Sequence, residues 1–464
     1  MSGRRGAEAV PGAAGRAGDG QVAALAAAAR GGDGRAAALA LLVLAAGWAA
    51  TLWISPWSDE RVNDLFVYRV FTEPVLDGAL PYRDVFLEYP PLAAPAIGLP
   101  GLLGTGEEVF RWAFAGWTFL LAAAVVVLCG ALAARTRGDA RRALLAAALM
   151  PLLCGALVRT HFDLAPVALL LGALLLLASG RPRSGMAVLG LAAMTKGFPL
   201  VAAPVAVAWL TTQVDRRTLL QAVAALLAAL ALPAAAAVAM SPDGAWDAVT
   251  YHLERPVQVE SLPASGVLLL DELGAGEANS VQSHRSDGLE HPAGDALVAV
   301  GAAAMLGVLA LLTLSAGGRS ARTEAASAGG GARGPSDARR LVLASLTAVA
   351  AFATLGKVLS PQYMLWLVPL GALAFAWRLH ALAAATAAAA VLTQIEFPAR
   401  YFDLVDREAF PIAVVALRNL VLLAVVFLAL RALGSARHQD LLDRDRPRAG
   451  VPLDQDGVEP RVLV

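Results

Sequence analysis

Across 464 residues the sequence is 58% hydrophobic and 16% charged, with a mean hydropathy of +0.62. A soluble domain of this size needs more charge to cover its surface, which excludes a water-soluble globular enzyme. Formal net charge is zero, so bulk charge identifies no partner, nucleic acid included, and only the distribution of charge informs.

In chain order, the first 35 residues are rich in Gly, Ala and Arg and lack a compact apolar core with a cleavage site. They read as a disordered cytoplasmic tail. Apolar blocks follow, each near the ~20 residues that cross a bilayer. They fall at 36–54, 109–134, 141–158, 163–180, 184–196, 197–212, 217–240, 296–316, 341–357, 361–377, 379–395 and 411–432. The pattern predicts an all-α polytopic membrane protein of about 10–13 transmembrane helices with short helices on the outer face. The membrane domain spans 36–432, and 433–464 forms a second cytoplasmic tail.

Arginine orients this array. Arg135, Arg137, Arg141 and Arg142 share one set of loops with Arg181, Arg183, Arg216 and Arg217, and a low-complexity linker at 317–340 carries more. By the positive-inside rule these loops are cytoplasmic, as are both termini. The opposite face gathers acids, aromatics and isolated cations in segments 55–91, 159–163, 196–199, 241–295, 356–363 and 396–410. Cys129 and Cys154 lie within apolar blocks, so no disulfide framework is expected. No Walker A loop, no G-x-G-x-x-G opening a helix after a strand, and no H-E-x-x-H, CxxC or nucleophile-elbow motif is present, which weighs against an ATP-driven pump and a cytosolic nucleotide-sugar enzyme.

Lysine occurs only at Lys196 and Lys357; every other basic residue is arginine. Each lysine precedes a proline-containing break, Gly197-Phe198-Pro199 or Leu359-Ser360-Pro361. Irregular backbone at membrane depth is tolerated where it lines a cavity or is buried in protein. Asp64 closely follows the first span and opens an apolar-aromatic run, Leu65–Tyr68. A partly desolvated carboxylate there suits a general base, and equally suits a helix N-cap.

Several stretches together resemble glycosyltransferase family 87, a family of GT-C-fold membrane enzymes that includes polyprenol-phosphate-mannose-dependent mannosyltransferases. The first comprises Asp64-Leu65-Phe66-Val67-Tyr68, Gly78, Pro81-Tyr82-Arg83-Asp84 and Glu88-Tyr89-Pro90-Pro91-Leu92. Others are Arg159-Thr160-His161-Phe162-Asp163-Leu164-Ala165-Pro166, Gly190–Pro199, Arg255–Ser261 and Lys357–Tyr363. The resemblance implies a polyprenyl-phosphate sugar donor, a glycolipid or glycan acceptor, and transfer outside a bacterial cytoplasmic membrane. It also implies inversion in a single displacement, with Asp64 as base.

The leaving polyprenyl phosphate then needs cations at the outer ends of spans, and Lys196, Lys357, Arg159, His161 and Arg255 are the candidates. Arg159 also stands one helical turn from Asp163, a spacing that suits an ion pair. Arg255 suits snorkelling beside Tyr251 and Trp246. Tyr68, Glu88, Tyr89, Gln258, Glu260, Gln362 and Tyr363 are candidate sugar or acceptor contacts. His284, Asp287, Glu290 and His291 are metal-ligating types in a Gly/Ser/Asp-rich stretch that reads as flexible. No metal site and no cofactor are expected, and a divalent-metal requirement stays open. The rival reading is a secondary transporter or lipid flippase. Against it, no repeat relates the two halves, and the candidate residues gather on one face.

Overall fold

A computed structural model describes residues 32–317 and 335–445. Most of the three segments expected as tails or linker, namely 1–31, 318–334 and 446–464, lies outside the described residues.

The described residues are mostly helical, because the apolar blocks are dominated by Ala and Leu, both strong helix formers. The first helix, α1 (Gly32–Trp53), leads to an outer segment with α2 (Leu65–Leu76) and α3 (Ala93–Gly98), followed by a 3-10 turn at Leu99–Leu103. The long α4 (Glu107–Arg135) returns to the arginine-rich end. The block expected as one span at 141–158 is instead broken into α5 (Ala140–Ala148), α6 (Met150–Cys154) and α7 (Leu157–Thr160). Gly155 sits at φ +56° between the last two, where an added Cβ would stand 2.1 Å from Oε1 of Gln394. Only glycine fits that bend.

Next come α8 (Leu164–Ala178), α9 (Pro182–Thr195), a 3-10 turn at Phe198–Ala202 with α10 (Ala203–Gln213), and α11 (Arg216–Met240). The second outer segment carries α12 (Pro242–Glu254), β1 (Val257–Gln258), α13 (Leu262–Glu272), β2 (Asn279–Ser283) and β3 (Ser286–Glu290). Then follow α14 (Gly294–Ala316), α15 (Pro335–Leu355), and a 3-10 turn at Pro361–Tyr363 leading into α16 (Met364–Ala376). The chain closes with α17 (His380–Glu396), α18 (Tyr401–Val405) and α19 (Ala409–Asp445).

Six helices among the described residues are long and apolar enough to cross a membrane, and shorter apolar ones pack between them. Their surroundings differ. Within α15 the apolar window is 83% buried, whereas in α11 and α14 it is 11% buried. α15 is therefore the centre of the bundle, and α11 and α14 turn most of their apolar surface outward, as helices facing lipid do. Asp139 and Asp215 cap α5 and α11 at the arginine-rich end, accepting from the backbone N–H of Arg142 and Thr218. Ser241 and Ser261 cap α12 and α13 at the other end.

The stretch 241–295 is folded rather than flexible. Its strands form an antiparallel sheet of order β1-β3-β2, with Val257 opposite Leu289 and Val281 opposite Gly288. The sheet adds a small β element to the expected all-α fold. Beneath the two outer segments lies a second apolar core, separate from the main bundle core, built on Leu65, Tyr68, Phe71, Tyr82, Phe114 and Phe162. At its edge an added Cβ on Gly244 would stand 1.9 Å from the Tyr82 carbonyl oxygen, so α12 lies directly on the first outer segment.

Candidate active site

Asp64 occupies the N-cap position of α2 but makes no capping hydrogen bond. The neighbouring Asn63 takes that work, its Oδ1 accepting from the N–H of Leu65 at 2.9 Å. The Asp64 carboxylate is left to accept from the hydroxyl of Tyr68, one turn on, at 3.0 Å. The same oxygen lies 3.4 Å from Nε2 of His161, and the side chain stays 33% exposed. Tyr68 is itself clamped by rings, stacked on Phe114 and edge-on to Phe162. Burial, and then Asp64, push its phenol well above the usual tyrosine range, so it remains a hydrogen-bond donor.

The bend after α7 delivers Arg159, His161 and Asp163 to three different partners. Arg159 is almost fully buried and ion-paired with Glu60, and its Nε donates to the carbonyl of Thr51 at 3.0 Å. Its guanidinium ties the end of α1 to the first outer segment, which removes it from the phosphate-binding set. Asp163 is not its partner. The fully buried Asp163 accepts from Lys196 Nζ at 2.8 and 2.9 Å and from Trp366 Nε1 at 2.6 Å. The ammonium of Lys196 lies 4.7 Å from the Phe162 ring centroid and 5.3 Å from that of Tyr89. Its charge is already matched. His161 faces Asp64 rather than a free anion site.

Of the five candidate cations, Arg255 and Lys357 form no carboxylate ion pair among the described residues, although the charge of Asp295 reaches Lys357. Arg255 has a buried Nε with no hydrogen-bond partner there. Lys357 donates to the carbonyl of Leu253 at 2.6 Å. Burial, and then the nearby charge of Arg255, hold the Lys357 ammonium below its ordinary pKa, and the charge of Asp295 opposes them. Like charges set side by side, with one buried N–H unspent, are chemically suited to an anion.

Their spacing is fixed through β1. The N–H of Gln258 donates to the carbonyl of Lys357 at 3.0 Å, and its Oε1 accepts from the N–H of Leu359 at 2.8 Å. Its Nε2 donates to Glu260 at 3.0 Å. Glu260 is fully buried against Arg418, with Nη1 at 3.5 Å, and its backbone carbonyl accepts from Asn419 at 3.2 Å. Gln258 and Glu260 are thus occupied inside the protein, contrary to the expected sugar contacts.

Glu88 approaches from the first outer segment and accepts from Arg285 at 3.2 Å. Burial raises its carboxyl pKa above the ordinary value, Arg285 opposes that shift, and Asp64 adds to it. The backbone carbonyl of Glu88 lies 2.7 Å from Nε2 of His252. Tyr89 sits edge-on to Phe162 at 4.9 Å. Tyr363 stacks on Trp366 at 3.7 Å, and Trp366 on Phe198 at 3.9 Å. Gln362 is half-buried in the turn beside Tyr363. A cavity of about 210 Å³ lies between α2 and the 85–89 segment, walled by Phe66, Tyr68, Val70, Phe86, Glu88 and Arg285.

The structure therefore brings together Asp64, Tyr68, His161, Lys196, Glu88 and Tyr89 on one side, and Arg255, Lys357 and Tyr363 on the other. Trp366 lies between them. Sequence reading missed Phe162 and Phe198 as aromatic walls, and missed Arg285 and His252. The first two stand inside the quoted motifs beside Asp163 and Lys196, so aromatic residues adjacent to ionisable ones were the available signal. Arg285 carried none. The four residues weighed as metal ligands do not converge. Asp287 accepts from Tyr401 at 2.8 Å, and His291 Nδ1 accepts from the N–H of Ala293 at 2.9 Å. Among the described residues no group of three or more His, Cys, Asp or Glu side chains is arranged to hold a metal.

Comparison with known proteins gives one family match. Residues 86–332, just over half of the chain, match glycosyltransferase family 87. No curated protein matches the sequence. Among solved structures, the chain is similar to a crystal structure of the Archaeoglobus fulgidus oligosaccharyltransferase in complex with Zn and sulfate. Identity is 14% and the TM-score 0.39, covering 82% of this chain and 53% of that one. The chain thus spans about half the length of that structure, and a likeness so loose carries no mechanistic weight.

Proposed function

The chain belongs to glycosyltransferase family 87, and from that premise we propose that it moves a sugar, mannose foremost, from a polyprenyl-phosphate donor to a cell-envelope glycolipid or glycan. It is a multi-pass membrane glycosyltransferase. In our reading it has a GT-C-type architecture in a bacterial cytoplasmic membrane, with both termini cytoplasmic. The site then faces outward, opposite the ends that carry Arg135, Arg141, Arg181, Arg183, Arg216 and Arg217.

One observation carries the proposal. A part-exposed carboxylate that caps no helix, Asp64, shares the outer end of the fold with two cations, Arg255 and Lys357, that form no carboxylate ion pair among the described residues. Inverting transfer needs these two things. A base takes the hydroxyl proton as the acceptor oxygen attacks the anomeric carbon. Fixed positive charge stabilises the phosphate as the anomeric C–O bond breaks. The leaving polyprenyl phosphate takes the electron pair of that bond. No covalent intermediate is required, so one base suffices. Lys196 and Asp163, locked together among aromatic rings, would form the floor against which the sugar ring lies.

The test is transfer by the purified protein from a panel of radiolabelled polyprenyl-phosphate sugars to an envelope glycolipid extract, alongside Asp64→Asn. Transfer by the wild type that vanishes in the variant supports the proposal and names the donor. Failure with every donor, together with solute or lipid movement in proteoliposomes, would replace enzyme by transporter.

A further inference from the structure

The geometry points to His161 as the second station of a proton relay that begins at Asp64, a role that rests on the glycosyl-transfer reading above. Thr160 has a single hydroxyl hydrogen, and its oxygen lies 2.9 Å from the carbonyl oxygen of Ala156, four residues back on the same turn. That carbonyl can only accept. The same hydroxyl oxygen lies 2.9 Å from Nδ1 of His161. When that hydrogen goes to Ala156, Thr160 accepts from Nδ1, which then carries the ring hydrogen. A neutral imidazole has only one such hydrogen, which leaves Nε2 as a bare lone pair.

That lone pair faces Oδ2 of Asp64 at 3.4 Å. Two acceptors opposed in this way make no hydrogen bond until a proton arrives. The contact is accordingly longer than the 3.0 Å bond from Tyr68 to the same oxygen.

The surroundings suit a transient charge on the ring. Burial opposes protonation of His161, as does Lys196, while Asp64 and Asp163 favour it. The two carboxylates sit at the start of α2 and of α8, and Lys196 at the end of α9. Asp163 is already matched by Lys196, so Asp64 is the carboxylate left to pair with an imidazolium. The ring is therefore neutral at rest and gains affinity from the carboxylate that hands it the proton.

In the transfer step the acceptor O–H bond breaks as its oxygen bonds the anomeric carbon. The anomeric carbon–oxygen bond to phosphate breaks and leaves its electron pair on the phosphate. The proton passes to Asp64 and on to Nε2 of His161, and after product leaves it returns through the part-exposed Asp64 to solvent, which restores both the carboxylate and the neutral ring. His161 touches no reacting atom in this scheme and acts through Asp64.

Two measurements on the full-length protein decide the relay. The first compares the pH dependence of transfer for wild type and His161→Gln. If Asp64 and His161 bind the inactivating proton as a pair, the acid limb of the wild type lies above that of a lone carboxylate. The variant's limb then moves down by about one pH unit or more, with a lower plateau. A lower plateau with an unmoved limb means His161 only packs, and overturns the relay. The second is the imidazole 15N spectrum of the wild type and Asp64→Asn, with His161 assigned by its loss in His161→Gln or, should that variant not fold, His161→Asn. An Nδ1–H tautomer whose titration falls to lower pH in Asp64→Asn is the expected result. An Nε2–H tautomer overturns the relay regardless of activity. Absence of transfer by the wild type would sink the enzyme reading while the tautomer still decides the proton arrangement.

Discussion

Lys196 donates to both carboxylate oxygens of Asp163, at 2.8 and 2.9 Å, in a pocket where Asp163 is fully buried. Thirty-three positions separate the two residues, and Trp366 holds one of the same oxygens from a third element. A pair buried this deeply is costly to break from one side. Lys196→Met leaves an uncompensated charge and is expected to destabilise the protein by about 3–5 kcal/mol. Adding Asp163→Asn should recover most of that loss. Thermal unfolding in detergent reads both, and equal melting of the single and double variants would refute the pairing argument.

Asp64→Asn is expected to reduce transfer by about 10²–10⁴-fold, the range general bases supply. Its melting temperature should stay within about a degree or two of the wild type, since Asn63 rather than Asp64 caps α2. Asn63→Ala is the mirror image. It should cost about 1 kcal/mol of stability and lower activity far less than Asp64→Asn.

Arg255→Ala and Lys357→Ala should each weaken turnover of a polyprenyl-phosphate donor by roughly 10–100-fold, equivalent to about 1.4–2.7 kcal/mol of lost phosphate stabilisation. Steady-state kinetics with donor and acceptor varied separately would show the loss on the donor side. Lys196→Arg should not imitate them, because that charge already has its partner.

Glu260 and Arg418 are fully buried, 158 positions apart, with Nη1 and Oε1 at 3.5 Å. If Glu260 touched substrate, Glu260→Gln would change KM and spare stability. The structure predicts the reverse. Lowered melting should appear in Glu260→Gln and more strongly in Arg418→Leu, and surviving protein should keep its donor KM.

Glu88 gives a pH signature. Burial raises its folded-state pKa above the unfolded value, so its contribution to stability is full below the ordinary glutamate range and is lost as pH rises through the folded pKa. Glu88→Gln removes that loss while its side-chain oxygen can still accept from Arg285. The variant should melt above the wild type near neutrality, and the gap should close as the medium is acidified. A gap that widens in acid would contradict the raised pKa.

The bundle was largely legible because span hydropathy and helix length are local properties. The blocks at 109–134, 217–240 and 296–316 agree with α4, α11 and α14 to within about two residues, the usual uncertainty of helix ends. The break within 141–158 was not legible. Pro151 and Gly155 marked a weak point, but the close approach of Gln394 from a distant helix, which leaves no room for a Cβ at Gly155, is not a local property. The sheet in 241–295 escaped for a related reason. Val257 and Leu289 pair across the outer segment, and a Gly/Ser/Asp-rich composition hides strands that short. In the site, residue types were readable and partners were not. Arg159 pairs with Glu60 across 99 positions, while the apparent neighbour Asp163 belongs to Lys196.

Gln258 binds the backbone on both sides of Val358. Arg255 stands three residues before Gln258, and Lys357 supplies the carbonyl that the Gln258 N–H holds. The backbones that carry the two cations are therefore gauged by the hydrogen bonds of Gln258 rather than by the fit of apolar side chains in the bundle. Lipid composition and sequence drift on the outward faces of α11 and α14 can change how the protein sits in its bilayer without resetting that gauge.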